Sequence, residues 1–362
     1  MMLKFHQYRV FTEYIVNASM FAAEGITVLN SINMKEIAML AGVSASTVSR
    51  VLNKNGRYSA ETEARVLEII RKYDYTPNMS AKGLRTSRNS FVGIIVPDIT
   101  NSHFASLVLE LEKAMFEEGY SCMICNTNEN ALLEDRHVKA LMAQNARGIF
   151  ITGTHIYEKT KNIPFIYLDR RPRGYHGNIF MIESDNTMGG YLATKELLDM
   201  GCKHPAILSA PNVDYNQRAR FEGFKKAIRE RGMTRGDYDI IDAEDTLMST
   251  SEKAVMDAIS DGVRFDGLMC TTDTMSAGAN VGLRKCGISV PDDVLLTGYD
   301  DSPIAEVVGS GITSVRQNLS AMVNTAVSIF LSMLEEKAPE QMLYSIPVTL
   351  VKRDSTQKRS MK

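Results

Sequence analysis

Residues 34–86 constrain this chain more than any other stretch. Asn33-Met34-Lys35-Glu36 has the form of a capping box, in which Asn33 accepts from the third helical N–H and Glu36 reaches back. Ile37, Leu40 and Ala41 follow at helical spacing and mark an inward face. Gly42 suits the left-handed exit of a helix, and Ser44 can cap the next one. In that second helix Val48, Val51 and Leu52 point inward, which leaves Ala45, Ser46, Ser49 and Arg50 outward. A third helix begins near Ser59, with Glu61 and Glu63 at its positive dipole end and Val66, Ile69, Ile70 and Tyr73 as its inward stripe. The pattern predicts an all-α helix-turn-helix head whose second helix enters the major groove of DNA.

Chemistry follows from that placement. Arg50 can donate two bonds to guanine O6 and N7. Thr47, Ser49 and Asn53 suit phosphates, which fix register rather than sequence. Ser44, Ala45 and Ser46 start the same helix and complete the set of candidate DNA contacts. Any three-helix domain with a Gly turn shares part of this pattern, so the continuation matters. It runs Tyr75-Thr76-Pro77-Asn78 and then Ala81-Lys82-Gly83-Leu84-Arg85. Gly83 inside a helix costs about 0.5–1 kcal/mol relative to Ala, and so short a segment does not persist as an isolated helix. Residues 78–89 are therefore expected to fold only on DNA.

With Ala41-Gly42-Val43-Ser44 and Thr47-Val48-Ser49-Arg50-Val51-Leu52-Asn53, this run resembles the lactose/galactose repressor (LacI/GalR) family, over roughly residues 33–355. The resemblance implies homodimers on pseudo-palindromic operator double-stranded DNA. It also implies two hinge helices side by side in the minor groove, with Leu84 as the intercalating lever and Arg85 as its cationic neighbour. Unstacking by such a lever costs a few kcal/mol, offset by the contacts that the bend permits.

Charge is distributed as a DNA-binding head requires. Residues 34–90 carry ten Lys/Arg and five Asp/Glu, whereas residues 91–362 carry 29 and 36, inside a chain of net charge −2. A basic head on an acidic body fits phosphate contact by the head alone. Five cysteines make an odd number in a long chain and imply no secreted disulfide framework. Cys122 and Cys125 lack the second pair that a zinc site needs, so neither metal nor cofactor is expected and the compartment reads as reducing cytoplasm. No apolar run is long enough to span a membrane. Residues 1–32 read as a poorly ordered N-terminal extension, and residues 356–362 as a tail.

From Ser90 onward apolar strands alternate with helical stretches, which predicts α/β lobes with doubly wound parallel sheets. Strands are expected at Phe91–Val96, Ser121–Asn126, Gly148–Thr152, Pro164–Leu168, Pro205–Ser209, Tyr238–Ile241, Gly267–Cys270 and Val294–Thr297. Ligands bind past the C-terminal ends of such strands. Asn101, His103 and Phe104 follow the first strand, Asp169-Arg170 the fourth, Thr272-Asp273 the seventh and Asp300 the eighth, while Gln317 follows Thr313-Ser314-Val315. Carboxylates and a guanidinium for hydroxyls, with a ring for an apolar face, form a sugar-binding mixture.

The resemblance implies a periplasmic-binding-protein-like body, similar to ribose-binding proteins, with three crossings between lobes. The expected organisation is a head at 33–77, a hinge at 78–89 and an effector and dimerisation domain at 90–355. Lobe one takes about 90–182 and 315–336; lobe two takes about 183–314 and 337–355. Mapped residue by residue, Asn101, His103, Phe104, Asp169, Arg170, Arg220, Thr272, Asp300 and Gln317 line the cleft. Asp273 reads better as a helix cap than as a ligand contact, and Asp169 and Arg170 can also pair with one another. This sequence departs from the family pattern at His103, where Phe is common, at Thr272, where Asn is common, and at Cys202. The stretch between Thr152 and Pro164 is also short.

The expected function is a DNA-binding transcriptional regulator, a repressor, controlled by a small effector. The opposite charges of Arg220 and Asp300 favour a neutral sugar, a pentose before a disaccharide, with Phe104 packing on its ring. A sugar-binding protein without a regulatory role and a glycosidase using Asp169 and Asp300 are the alternatives. The head argues against the first, and the want of a nucleophile–base constellation argues against the second.

Overall fold

The computed structural model describes residues 32–52, 54–73, 75, 91–157, 163–210, 215–337 and 339–357. Asn53, Leu84, Arg85 and the whole hinge therefore lie outside the described residues, as does the N-terminal extension apart from Ile32. The chain divides into two compact units, residues 1–87 and 88–362.

The first unit contains α1 (Met34–Ala41), α2 (Ala45–Leu52) and α3 (Ala60–Lys72). Its local chemistry follows the sequence. Asn33 accepts from the N–H groups of Lys35 and Glu36, and Glu36 accepts from Asn33 N at 2.8 Å. Gly42 closes α1 with φ +65°. Ser44 Oγ accepts from Thr47 N, and Ser59 Oγ from Thr62 N, both at 3.2 Å. Ile37, Ala38, Ala41, Val48, Val51 and Val66 form the buried core. Two residues expected to face inward do not: Leu40 and Tyr73 are 49% and 42% exposed. Each sits near a helix end, where the neighbouring helices no longer cover the stripe.

The second unit holds two six-stranded sheets. In chain order its elements begin with β1 (Phe91–Val96), α4 (Ser102–Glu117), β2 (Ser121–Asn126), α5 (Ala131–Ala143), β3 (Ile149–Ile151), β4 (Phe165–Leu168) and β5 (Phe180–Ser184). Then come α6 (Asn186–Asp199), β6 (Pro205–Ser209), α7 (Tyr215–Glu230), β7 (Asp239–Asp242), α8 (Met248–Ser260), β8 (Gly267–Cys270), α9 (Asp273–Lys285) and β9 (Leu295–Asp300). The last are α10 (Pro303–Val307), β10 (Thr313–Arg316), α11 (Leu319–Leu334), β11 (Leu343–Ile346) and β12 (Thr349–Val351). Strand order is β11-β5-β4-β3-β1-β2 in lobe one and β12-β10-β9-β8-β6-β7 in lobe two. All pairings are parallel except that of β12 with β10.

The chain passes between the lobes three times: after β5, after β10 and after β11. This corrects the expected division in two places. Thr313–Arg316 belongs to lobe two, so the return to lobe one begins with α11, where Phe330, Met322 and Val323 join the core with Leu111 and Phe150. Leu343–Ile346, expected in lobe two, pairs with β5 in lobe one. A short half-exposed strand carries no mark of which sheet it will join.

Lobe two places one functional helix through a tight crossing. A Cβ on Gly190 would lie 2.0 Å from the Arg220 carbonyl oxygen, and a Cβ on Gly223 would lie 2.0 Å from the Thr187 carbonyl oxygen. Only glycine lets α6 and α7 approach this closely, and that approach carries Arg220 inward.

Candidate functional site

The C-terminal ends of the parallel strands meet between the lobes, and a buried polar network fills that place. From lobe one, His103 stands in the first turn of α4, Asp169 follows β4 and Ser184 ends β5. From lobe two come Asn216 and Arg220 on α7 and Asp300 at the end of β9, while Gln317 lies just past β10. His103 Nε2 is 3.2 Å from Asp169 Oδ1. Gln317 Nε2 donates to Asp300 Oδ1 at 2.8 Å and lies 3.4 Å from His103 Nδ1, while its oxygen accepts from Ser184 Oγ. Asn216 Nδ2 donates to the Asp169 carbonyl at 3.3 Å.

Arg220 anchors the second half. Its Nε donates to Asn186 Oδ1 at 2.9 Å, its Nη1 to the Thr271 carbonyl at 2.6 Å, and its Nη2 lies 3.7 Å from Asp300 Oδ1. The guanidinium carbon stands 3.6 Å from the centre of the buried Tyr299 ring, a cation–π contact. Both site carboxylates hang from left-handed backbone, with φ 63° at Asp169 and 106° at Asp300. Such conformations gather at functional sites, where the surroundings hold them.

Charges are balanced rather than avoided. Burial opposes the charged form of His103, but Asp169 and Asp300 beside it raise its pKa above the ordinary value. Burial also opposes ionisation of Asp169, yet His103, Arg220 and Arg170 hold it below the ordinary range. Asp300 is pushed up, chiefly by burial, against the pull of Arg220 and His103. Asp273 rises to about 7, from burial and from the charge of Asp300.

The remaining expected residues fall elsewhere. A cavity of about 990 Å³ opens beside the network, and Asn101, Phe104 and Arg170 line it. Phe104 is also part of the lobe-one core, so it offers the cavity one face only. Arg170 Nη1 donates to Glu129 Oε2 at 2.8 Å, and its charge also helps to hold Asp169 ionised. Thr272, expected in the cleft, spends its hydroxyl as the N-cap of α9, accepting from Met275 N at 3.1 Å. Asp273 is thus not the cap; it is buried and accepts from Ser302 N and from Ser314 Oγ. Arg218 is exposed on the cavity wall. In the head, Ser46 and Arg50 are exposed, whereas Ala45, Thr47 and Ser49 are half-buried.

The sequence reading missed the outer wall. Arg171, Tyr175, Tyr215 and Leu247 line the same cavity. The Arg171 guanidinium carbon lies 4.1 Å from the Tyr215 ring centre and 5.2 Å from that of Tyr175, and Glu183 holds it by two bonds. The signal was present in Arg171-Pro172-Arg173-Gly174-Tyr175, a loop that directly follows the C-terminal end of β4.

Comparison with known proteins agrees with this architecture. Residues 33–78 match the model of bacterial regulatory proteins of the lacI family, and residues 194–356 match a periplasmic binding protein-like domain. The ribose operon repressor of Halalkalibacterium halodurans is 30% identical over 327 residues, covering 89% of this chain and 96% of that protein. The HTH-type transcriptional repressor PurR of Pasteurella multocida is 28% identical, covering 90% and 99%. The crystal structure of the lac repressor dimer bound to operator and the anti-inducer ONPF has a TM-score of 0.79 at 22% identity, covering 90% and 99%. Such relatives are regulators and not enzymes. A helix-turn-helix head, two parallel-sheet lobes and a likeness that runs through both make this chain a member of the lacI family of bacterial regulatory proteins, a DNA-binding transcriptional regulator controlled by a small effector.

Proposed function

We propose that this regulator is a homodimeric repressor that binds operator DNA in the cytoplasm and answers to a neutral sugar held between its lobes. The observation that carries the reading is the convergence of His103, Asp169, Arg220, Asp300 and Gln317 from both lobes on one buried network. Carboxylates accept from sugar hydroxyls and a guanidinium donates to them, so paired opposite charges suit a neutral polyol better than an anion. Asn101, Phe104 and Arg170 supply further ligand contacts from the cavity wall. Asn216 Oδ1 is buried without a hydrogen-bond partner among the described residues, an acceptor that a ligand hydroxyl can satisfy. No described helix is long and apolar enough to cross a membrane.

A ligand bridging the lobes changes their relative stability and with it the affinity for operator, a coupling of about 1–3 kcal/mol. Calorimetry of the full chain against neutral sugars, sugar phosphates and nucleobases tests this, paired with gel shifts on an operator selected from random duplexes. The expected result is that a neutral sugar binds and shifts operator affinity by about 5–150-fold. Binding confined to phosphorylated or non-sugar compounds sinks the reading.

A further inference from the structure

We propose that Arg171 and Tyr215 form a clasp between the two lobes, tying the cavity wall given by lobe one to the wall given by lobe two. The inference holds for any effector and stands apart from the neutral-sugar reading.

Arg171 is fixed from within lobe one. It lies just past the end of β4, and Glu183 on the neighbouring strand β5 accepts from its Nε at 2.6 Å and from its Nη2 at 2.5 Å. With its edge spent on a carboxylate, a planar guanidinium still offers its faces to aromatic rings. Tyr175, in the same loop, makes one such contact at 5.2 Å.

Tyr215 comes from the other lobe, at the start of α7. Its ring centre lies 4.1 Å from the Arg171 guanidinium carbon, well inside the roughly 6 Å over which a cation–π contact acts. The next residue repeats the crossing, for Asn216 Nδ2 donates to the Asp169 carbonyl at 3.3 Å. The first turn of α7 therefore meets the exit of β4 at two points. The Gly190–Gly223 crossing seats α7 against α6. The contact is thus one between lobes, not one made by a loose helix end.

No covalent crossing holds this place. In the lobe-two sheet, β8 and β9 separate β6, which leads into α7, from β10, where the chain crosses. Arg171 and Tyr215 both line the cavity of about 990 Å³, so parting them widens it. The clasp sets how readily a ligand exchanges as well as how the lobes move.

The test is amide hydrogen exchange, read by mass spectrometry on the full chain without ligand. The reporters are the N–H of Arg173 in lobe one, which donates to the Thr154 carbonyl, and the first bonded turn of α7 in lobe two. Arg171→Met should speed exchange in α7, across the cleft, by about tenfold, the size of a desolvated cation–π contact. Tyr215→Leu should do the same at Arg173. The double variant should be no faster than the faster single one, because both remove one contact. Tyr215→Phe keeps the ring and should match the wild type. Exchange in β1 and β8 reports whether each variant stays folded. Should Arg171→Met lose its fold, Arg171→Lys repeats the test, since a lysine keeps the charge but loses the planar fork. Faster exchange confined to the substituted residue's own lobe overturns the clasp. So do effects that add in the double variant, or a Tyr215→Phe protein that behaves like Tyr215→Leu.

Discussion

His103 and Asp169 meet at 3.2 Å across the closed end of lobe one, an imidazole from the start of α4 against a carboxylate hung from the end of β4. Both are buried, so each sets the other's ionisation. The contact replaces an apolar ring, which the family pattern favours at position 103, with a group whose charge depends on pH.

A pH dependence of stability follows. The His103 pKa is raised above 6.5, so its stabilising contribution is complete below about pH 6.5 and fades as pH climbs through the raised value. The Asp169 pKa is lowered below 3.8, so its contribution is present above that value and lost only in stronger acid. Thermal melts of wild type and His103→Gln from pH 5.5 to 9 should show a gap that narrows with rising pH. A gap that stays constant across the range would mean that folding leaves the His103 pKa at its ordinary value.

Much of this fold was legible because its strands are buried on both faces. Phe91–Val96, Pro205–Ser209 and Gly267–Cys270 read as short apolar runs and occupy those residues. Phe180–Ser184 was missed because Glu183 and Ser184 break its apolar run. Glu183 is tolerated inside only because Arg171 neutralises it, and no local pattern announces a partner twelve residues away. Thr313–Arg316 is polar for a similar reason: the Thr313 hydroxyl donates to the Arg353 carbonyl and the Ser314 hydroxyl to Asp273. The inner network was largely legible, since its members follow strand ends at positions that the family motif marks. The outer wall was not, because Tyr175 and Tyr215 owe their meeting to Arg171 lying between them.

The α6–α7 crossing is predicted to be intolerant of a single methyl group. Gly223→Ala sets a Cβ 2.0 Å from the Thr187 carbonyl oxygen and 2.5 Å from Tyr191 N, both backbone atoms. Overpacking of this kind costs about 1–3 kcal/mol or more. The helices must part, and Arg220 moves with α7. The expected outcome is a lower melting temperature together with weakened sugar binding, read by calorimetry at a temperature where the variant is folded. An unchanged melting temperature would show that the crossing relaxes freely.

Asp300 ties Gln317 and Arg220 to the same site. Removing one partner of a buried charged hydrogen bond costs about 2–5 kcal/mol. Asp300→Ala should therefore abolish the response to sugar, while the head, a separate compact unit, still binds operator. Calorimetry and gel shifts on one preparation separate the two effects. A variant that binds sugar with undiminished affinity would remove Asp300 from the ligand-binding set.

In the head, Val48 and Val51 fix which side of α2 is buried, and Arg50 stands exposed between them in sequence. It is the only Lys or Arg in that helix, where Ala45, Ser46 and Ser49 are short. A guanidinium so placed can make the bidentate contact with guanine, a discrimination of about 1–3 kcal/mol against other bases. Arg50→Ala should weaken binding to the selected operator by that amount and relax the preference at one base pair in each half-site. Fluorescence anisotropy with single-base operator variants measures both. Equal losses on operator and on random duplex, with a smaller salt dependence, would instead make Arg50 a phosphate anchor.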